Sequence, residues 1–162
     1  MVEENGISFR AARPEDSNII FELFEQVQNI HLQAEPKIFK PPLRDEHFKA
    51  FLDDLFEDDE KHLVFAEIDG HVCGYIQFTN KLKSESIFQY RQKRIDIGQL
   101  VVANDFRKTG IGTSLINHVK QFAQNSGAEI LTIDYWSFNK ASERCFTKAG
   151  FETKYLVMQQ DI

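Results

Sequence analysis

Arg107-Lys108-Thr109-Gly110-Ile111-Gly112 is where the residue types of this chain first suggest chemistry. Two cations and two closely spaced glycines sit where an apolar run, Ile95 to Val102, gives way to a short polar loop. A helical pattern follows, carried by Ile111, Leu115, Ile116, Val119, Phe122 and Ala123 at three- and four-residue steps. The N–H groups of a helix's first turn lack intrahelical acceptors, and the helix dipole draws anions to that end. Glycines there let the backbone come close to a phosphate. A phosphorylated ligand is the chemistry this spacing serves. A tight helix start that needs a flexible corner accounts for the same two glycines.

The commoner phosphate motifs are excluded. No G-x-x-x-x-G-K-[ST] occurs, and Leu115 stands where a dinucleotide fingerprint needs its third glycine. What remains is [QR]-x-x-G-x-[GA], met by Arg107, Gly110 and Gly112. A second segment, Asn139 to Phe151, reads N-x-x-[AS]-x-x-x-[YF]-x-x-x-G-F through Asn139, Ser142, Phe146, Gly150 and Phe151.

The elements that must position these residues are legible in order. Ile7 to Arg10 alternates as a first strand after a polar, frayed start. Arg13-Pro14-Glu15-Asp16 opens a helix whose face is Ile20, Leu23, Phe24, Val27 and Ile30, ending before Pro36. A second helix, roughly Asp45 to Phe56, buries Phe48, Phe51, Leu52, Leu55 and Phe56. Leu63–Ile68 and His71–Phe78 flank Asp69-Gly70, the pair favoured in a two-residue type I′ turn. Thr79 to Lys93 is polar, an exposed connection or a strand extension. Helix three stops at Ser126-Gly127, and Ile130 to Tyr135 is another strand. Asn139 caps a helix closed by Gly150, and Tyr155 to Gln160 completes the sheet.

The order is β-α-α-β-β-β-α-β-α-β, an α/β chain (α+β by some schemes) with a central mixed sheet flanked by helices on both faces. At 162 residues it forms one domain over 1–162, with fifteen Phe for an aromatic core. A net charge of −6 argues against a nucleic-acid partner and suits a cationic one. Cys73 and Cys145 have no metal-spaced neighbours and read as free thiols of a cytoplasmic protein, a disulfide being the alternative. No run approaches membrane-span length.

The two motifs and the element order together resemble the GNAT superfamily of N-acetyltransferases over essentially the whole chain. The resemblance implies a splayed sheet and acetyl-CoA as cosubstrate, with the acetyl group passing directly to a primary amine of a small molecule or peptide. No metal is implied, and a homodimer is common in similar proteins. It places the pyrophosphate on Arg107, Lys108, Thr109, Gly110, Ile111, Gly112 and Thr113, and the pantetheine arm along Leu100, Val101 and Val102. Asn139 and Phe146 would also meet the cofactor. Gly98 could allow the bulge that splays the strands. The N–H of Leu100 or Val102 would bind the oxyanion.

Asp96, eleven residues before Arg107, matches the glutamate base of the histone-acetylating branch. On a regular strand it shares parity with Leu100 and Val102, and a structural ion pair with Arg94 is its other reading. Glu67 is the reserve base. His31, Phe39, Tyr75, Gln77 and Tyr135 would line the acceptor side, with Pro36 and Trp136 nearby. One departure bears on activity: Phe146 stands where the family usually holds a tyrosine that protonates the leaving thiolate. An acyl-CoA-binding sensor or interaction module without turnover is therefore the alternative function.

Overall fold

The computed structural model describes residues 3–4 and 6–162. Six strands form one sheet in chain order: β1 Glu3–Glu4, β2 Ile7–Ala11, β3 Lys61–Ile68, β4 His71–Lys83, β5 Gln92–Val102 and β6 Ile130–Ile133. Neighbours are antiparallel except β5 and β6, which are parallel. A parallel pair needs a crossover, and helix α3, Ile111–Ser126, provides it. Helices α1, Ser17–Ala34, and α2, Glu46–Glu57, cover the opposite face. Helix α4, Lys140–Lys148, lies on the α3 side.

Each face has its own core. Ile76, Phe78, Ile95 and Ile97 pack with Ile111, Leu115, Ile116 and Val119 of α3. Leu63, Phe65, Tyr75 and Val101 pack with Ile20, Leu23 and Leu55 of α1 and α2. Local chemistry sets several boundaries. Asp45 Oδ1 accepts from the His47 and Phe48 amides, both at 3.1 Å, and caps α2. Asp69 and Gly70 both adopt positive φ, 49° and 75°, as a type I′ hairpin requires.

Two expectations change. Tyr155 to Gln160 forms no strand: nothing pairs with it, and Tyr155 to Met158 are 78–95% exposed. The composition was strand-like, but a strand needs a neighbour, and the chain leaves the body after Phe151. Of the two readings of Thr79–Lys93, the strand extension holds at both ends, β4 running to Lys83 and β5 starting at Gln92, with 84–91 as the connection between them. In the polar start, Glu3–Glu4 pairs with β2; Met1, Val2 and Asn5 lie outside the described residues. Among the described residues no helix is long and apolar enough to cross a membrane, and no acid, Cys or His group could hold a metal.

Candidate active site

The site is built around a change within β5. Its first half, Arg94 to Ile97, pairs with Ile130 to Ile133, and the pairing stops there. Opposite, the β4 register shifts between Gln77 and Phe78, so Gly98 is the extra residue of a bulge. A Cβ on Gly98 would lie 2.3 Å from the Gln77 side-chain oxygen, so a larger residue there would turn that side chain away from the bulge. Beyond Gly98, β5 runs on to Val102 with no strand on its β6 side. The sheet is splayed there.

Hydrogen-bond alternation shows what faces the gap. The Ala103 amide donates to the Cys73 carbonyl at 2.9 Å, so that pair and Val101–Tyr75 are the bonded ones. Leu100 and Val102, in the intervening pairs, therefore turn their N–H and C=O groups toward the gap. The Val102 carbonyl accepts from Arg107 Nε at 3.2 Å. The N–H groups of Leu100 and Val102 are left for a ligand.

Directly above lies the glycine turn. Lys108 and Gly110 take left-handed conformations, φ 64° and 98°, and alternation of this kind turns successive amides into one concavity. Gly110 is the N-cap of α3, and no side chain caps the helix. No backbone amide from Lys108 to Thr113 donates to a protein acceptor. Orphan amides at a helix start and an orphan strand edge below it fit a ligand with a diphosphate at one end and an extended amide-bearing arm. Gly112 is held close: a Cβ there would be 3.4 Å from Cys145 Sγ, 3.7 Å from Val102 Cγ2 and 3.8 Å from Leu100 Cδ2. At this residue α3 packs against β5 and α4 at ordinary contact distances. Thr109 Oγ1 donates to the Phe106 carbonyl at 2.6 Å and steadies the turn.

The second motif is a pair of helix caps. Asn139 Oδ1 accepts from the Ser142 amide at 3.1 Å at the start of α4. At its end, Gly150 takes φ 91° and the Phe151 amide donates to the Phe146 carbonyl at 3.0 Å. Their rings meet at 6.2 Å, which completes a Schellman motif with its apolar contact. Phe146 is 6% exposed, so its first role is closing this helix. Tyr135 stands 5.9 Å from it, edge to face.

Near the end of α1, His31 meets aromatic residues from two loops. His31 sits 4.8 Å from Phe39 and 5.5 Å from Phe138, and Trp136 is 5.0 Å from Phe39. The His31 Nδ1 donates to the Val27 carbonyl at 2.8 Å, which leaves Nε2 available. Phe138 was not foreseen; aromatic enrichment in the 135–138 loop was its only signal. Tyr75 departs from the expected wall. It is fully buried, its hydroxyl donates to Gln99 Oε1 at 2.7 Å, and burial raises its pKa far above the ordinary phenol. Gln77 spans the bulge, with Nε2 3.4 Å from Thr79 Oγ1.

The two carboxylates are engaged elsewhere. The bulge breaks the expected parity, because Leu100 and Val102 share a face with Ile95 and Ile97, not with Asp96. Asp96 accepts from Thr132 Oγ1 at 2.6 Å and Arg94 Nη2 at 2.9 Å, with Lys81 Nζ 3.0 Å away. Burial alone would raise its pKa, but the bonds from Thr132, Lys81 and Arg94 outweigh it and hold the carboxyl below the ordinary range. Glu67 is paired with Arg10 Nε at 2.6 Å, and Arg10 also grips Asp16. These contacts favour the ion-pair reading of Asp96. Its depressed pKa contributes stability above the ordinary carboxylate pKa, lost as pH falls through the folded value. Asp96→Asn should therefore lower the melting temperature at neutral pH by roughly 2–4 °C, about 1 kcal/mol for a partly exposed charged cluster. It should also flatten the acid limb of a melting-temperature-against-pH curve and leave the pH–rate profile unshifted. A shifted profile would instead make Asp96 the base.

The model of the acetyltransferase (GNAT) family matches residues 24–151. The uncharacterized N-acetyltransferase YhfO of Bacillus subtilis (strain 168) is 27% identical over 147 residues, 90% of each chain. A mutant of the BH1408 protein from Bacillus halodurans shares the fold with a TM-score of 0.89 at 16% identity, over 96% of this chain and 99% of that one. AAC(6')-Iy, in complex with the bisubstrate analog CoA-S-monomethyl-acetylneamine, shares it with a TM-score of 0.74 at 16% identity, over 96% and 98%.

Proposed function

The chain belongs to the GNAT acetyltransferase family, and on that footing we propose that it transfers an acetyl group from acetyl-CoA to a primary amine of a small molecule or peptide, by direct attack in a ternary complex. One observation carries the reading: unpaired amides from Lys108 to Thr113 stand above unpaired amides of Leu100 and Val102. The cosubstrate supplies an activated thioester.

The chain's own residues do the rest. The turn amides and the positive end of α3 hold the diphosphate, and Lys108 adds charge from its rim. The free edge of Leu100, Val101 and Val102 takes the arm as an added strand would. The Leu100 or Val102 N–H donates to the acetyl carbonyl oxygen as charge gathers on it, a contribution of roughly 3 kcal/mol for such donors. Asn139 caps α4 with its oxygen and keeps its amide nitrogen for the arm. Phe146 packs beside the reacting end. With Asp96 and Glu67 both ion-paired, the amine's proton passes to water, and His31 Nε2 is the free imidazole nitrogen on the acceptor side.

Phe39, Trp136 and Tyr135 offer aromatic faces to a cationic acceptor, and the net charge of −6 favours its approach. The bisubstrate analog held by AAC(6')-Iy supports a ternary complex on this fold. The free thiols Cys73 and Cys145 suit a reducing cytoplasm.

Acetyl-CoA at a hundredfold excess over its Kd should add about 2.7 kcal/mol. For a chain of this size that raises the melting temperature by roughly 5–10 °C. Release of CoA thiol should then appear with at least one member of an amine panel. No thermal shift would remove the cosubstrate site. A shift with no turnover on any amine would favour the second reading, an acyl-CoA sensor, which rests on the absence of a hydroxyl at buried Phe146.

A further inference from the structure

Where β5 parts from β6, a small polar patch lies on the sheet face covered by α1 and α2. The bulge brings Gly98 and Gln99 together opposite Gln77. Gly98 is exposed, and the two glutamines are half-buried. Beside them Tyr75 is sealed in the core with Leu63, Phe65 and Val101. Its hydroxyl has one protein partner, Gln99 Oε1 at 2.7 Å. A buried O–H without an acceptor is costly, so Tyr75 must donate, and that decides which end of the Gln99 carboxamide points inward. Burial raises the pKa of this phenol, so the donor is permanent. The other end of the carboxamide, Nε2 with two N–H groups, meets no acceptor among the described residues and still reaches solvent. Across the pair, Gln77 holds Nε2 near Thr79 Oγ1 at 3.4 Å, and its Oε1 lies against Gly98 with no protein donor.

We propose that Gln99 determines acceptor specificity: its Nε2 donates to an oxygen on the carbon next to the amine-bearing carbon, while Gln77 Oε1 accepts from the amine. Opposed residues of an antiparallel pair hold their Cβ atoms about 5 Å apart, so two carboxamides there can reach one small group together. The acceptor class is an N–C–C–O amine. The carbonyl of an amino acid amide or peptide N-terminus meets that requirement, and so does the hydroxyl of a vicinal amino alcohol. Tyr75 is the positioning residue behind Gln99. An outward-facing N–H gives an oxygen a partner and gives a bare alkyl amine none, so the patch separates the two. This inference rests on the acetyl-transfer reading and narrows its amine.

A series on one skeleton tests it: alaninamide, alaninol and 2-aminobutane carry a carbonyl, a hydroxyl and no oxygen at that carbon. Each is assayed by release of CoA thiol. An α-amino amide is less basic than an alkyl amine, so the readout is the change in preference between proteins, in which that difference cancels. Gln99→Leu and the isosteric Gln99→Glu both remove the donor. In each, the kcat/KM preference for alaninamide and alaninol over 2-aminobutane should fall about tenfold, mainly through KM. The larger of the two losses identifies carbonyl or hydroxyl. Tyr75→Phe should lower the preference about threefold by letting the carboxamide turn, with the thermal shift from acetyl-CoA retained. An unchanged preference in both Gln99 variants overturns the proposal. So does a loss shared equally by 2-aminobutane, which is what a purely structural role gives. Turnover confined to amines outside the N–C–C–O class overturns this inference and leaves acetyl transfer standing. A thermal shift with no thiol release from any amine removes the transfer reading, and the proposal with it.

Discussion

Gly112→Asp should weaken acetyl-CoA binding by about 100-fold or more while leaving the fold intact. The expectation rests on where the residue sits. Gly112 is the second residue of α3, and its missing Cβ would meet Cys145, Val102 and Leu100 at ordinary contact distances of 3.4–3.8 Å. A methyl group therefore fits, and Gly112→Ala should bind within about threefold of the parent, a change well under 1 kcal/mol. A carboxylate has no room among those apolar neighbours and must turn to the orphan amides. There it benefits from the helix dipole, so stability does not suffer. The same carboxylate occupies the place of the diphosphate and repels it. Like-charge juxtaposition costs several kcal/mol, and about 3 kcal/mol is roughly two decades of Kd. Calorimetric titration of the three proteins checks this. Equal affinity of the aspartate variant would show that the turn is not the anion site.

The second large effect concerns stability. Gly74 of β4 stands opposite Val102, and a Cβ there would lie 2.4 Å from the Val101 carbonyl oxygen and 3.1 Å from Val102 Cα. Both are backbone atoms of β5 and cannot swing aside as a side-chain tip would. Gly74→Ala must push β4 and β5 apart along the half of β5 that borders the gap. Overpacking of this kind costs about 1–3 kcal/mol, and rigid neighbours put this case at the upper end. Thermal unfolding should fall by roughly 6–12 °C. A change under about 2 °C would mean that the two strands yield more freely than their close approach implies.

Much of the site was legible because its chemistry is local. Arg107 to Gly112, the Asp69-Gly70 turn and the Asn139–Phe151 segment are defined by caps and dihedrals that neighbouring residues impose, and they appear where the sequence places them. Non-local features were not legible. The partners of Asp96 come from β4 and β6 as well as its own strand, so a carboxylate with suitable spacing became part of an ion cluster. Tyr75 read as a cleft residue, yet the packing of α1 and α2 buries it. The tail has strand composition, but composition supplies no neighbouring strand, and Tyr155 to Met158 stay exposed.

The Gly98 bulge has a consequence for how this chain tolerates length changes. It acts as a phase shift in a two-residue wave: below it odd-numbered side chains face α3, and above it even-numbered ones do. Removing that single residue would restore a uniform wave that keeps Ile95, Ile97, Leu100 and Val102 all on the α3 side, and it would erase the bulge rather than the packing phase. Insertions in the loops around 84–91 leave the wave untouched. Length changes should therefore be tolerated there, whereas deletion at 98 should spare the core and close the bulge beside the gap.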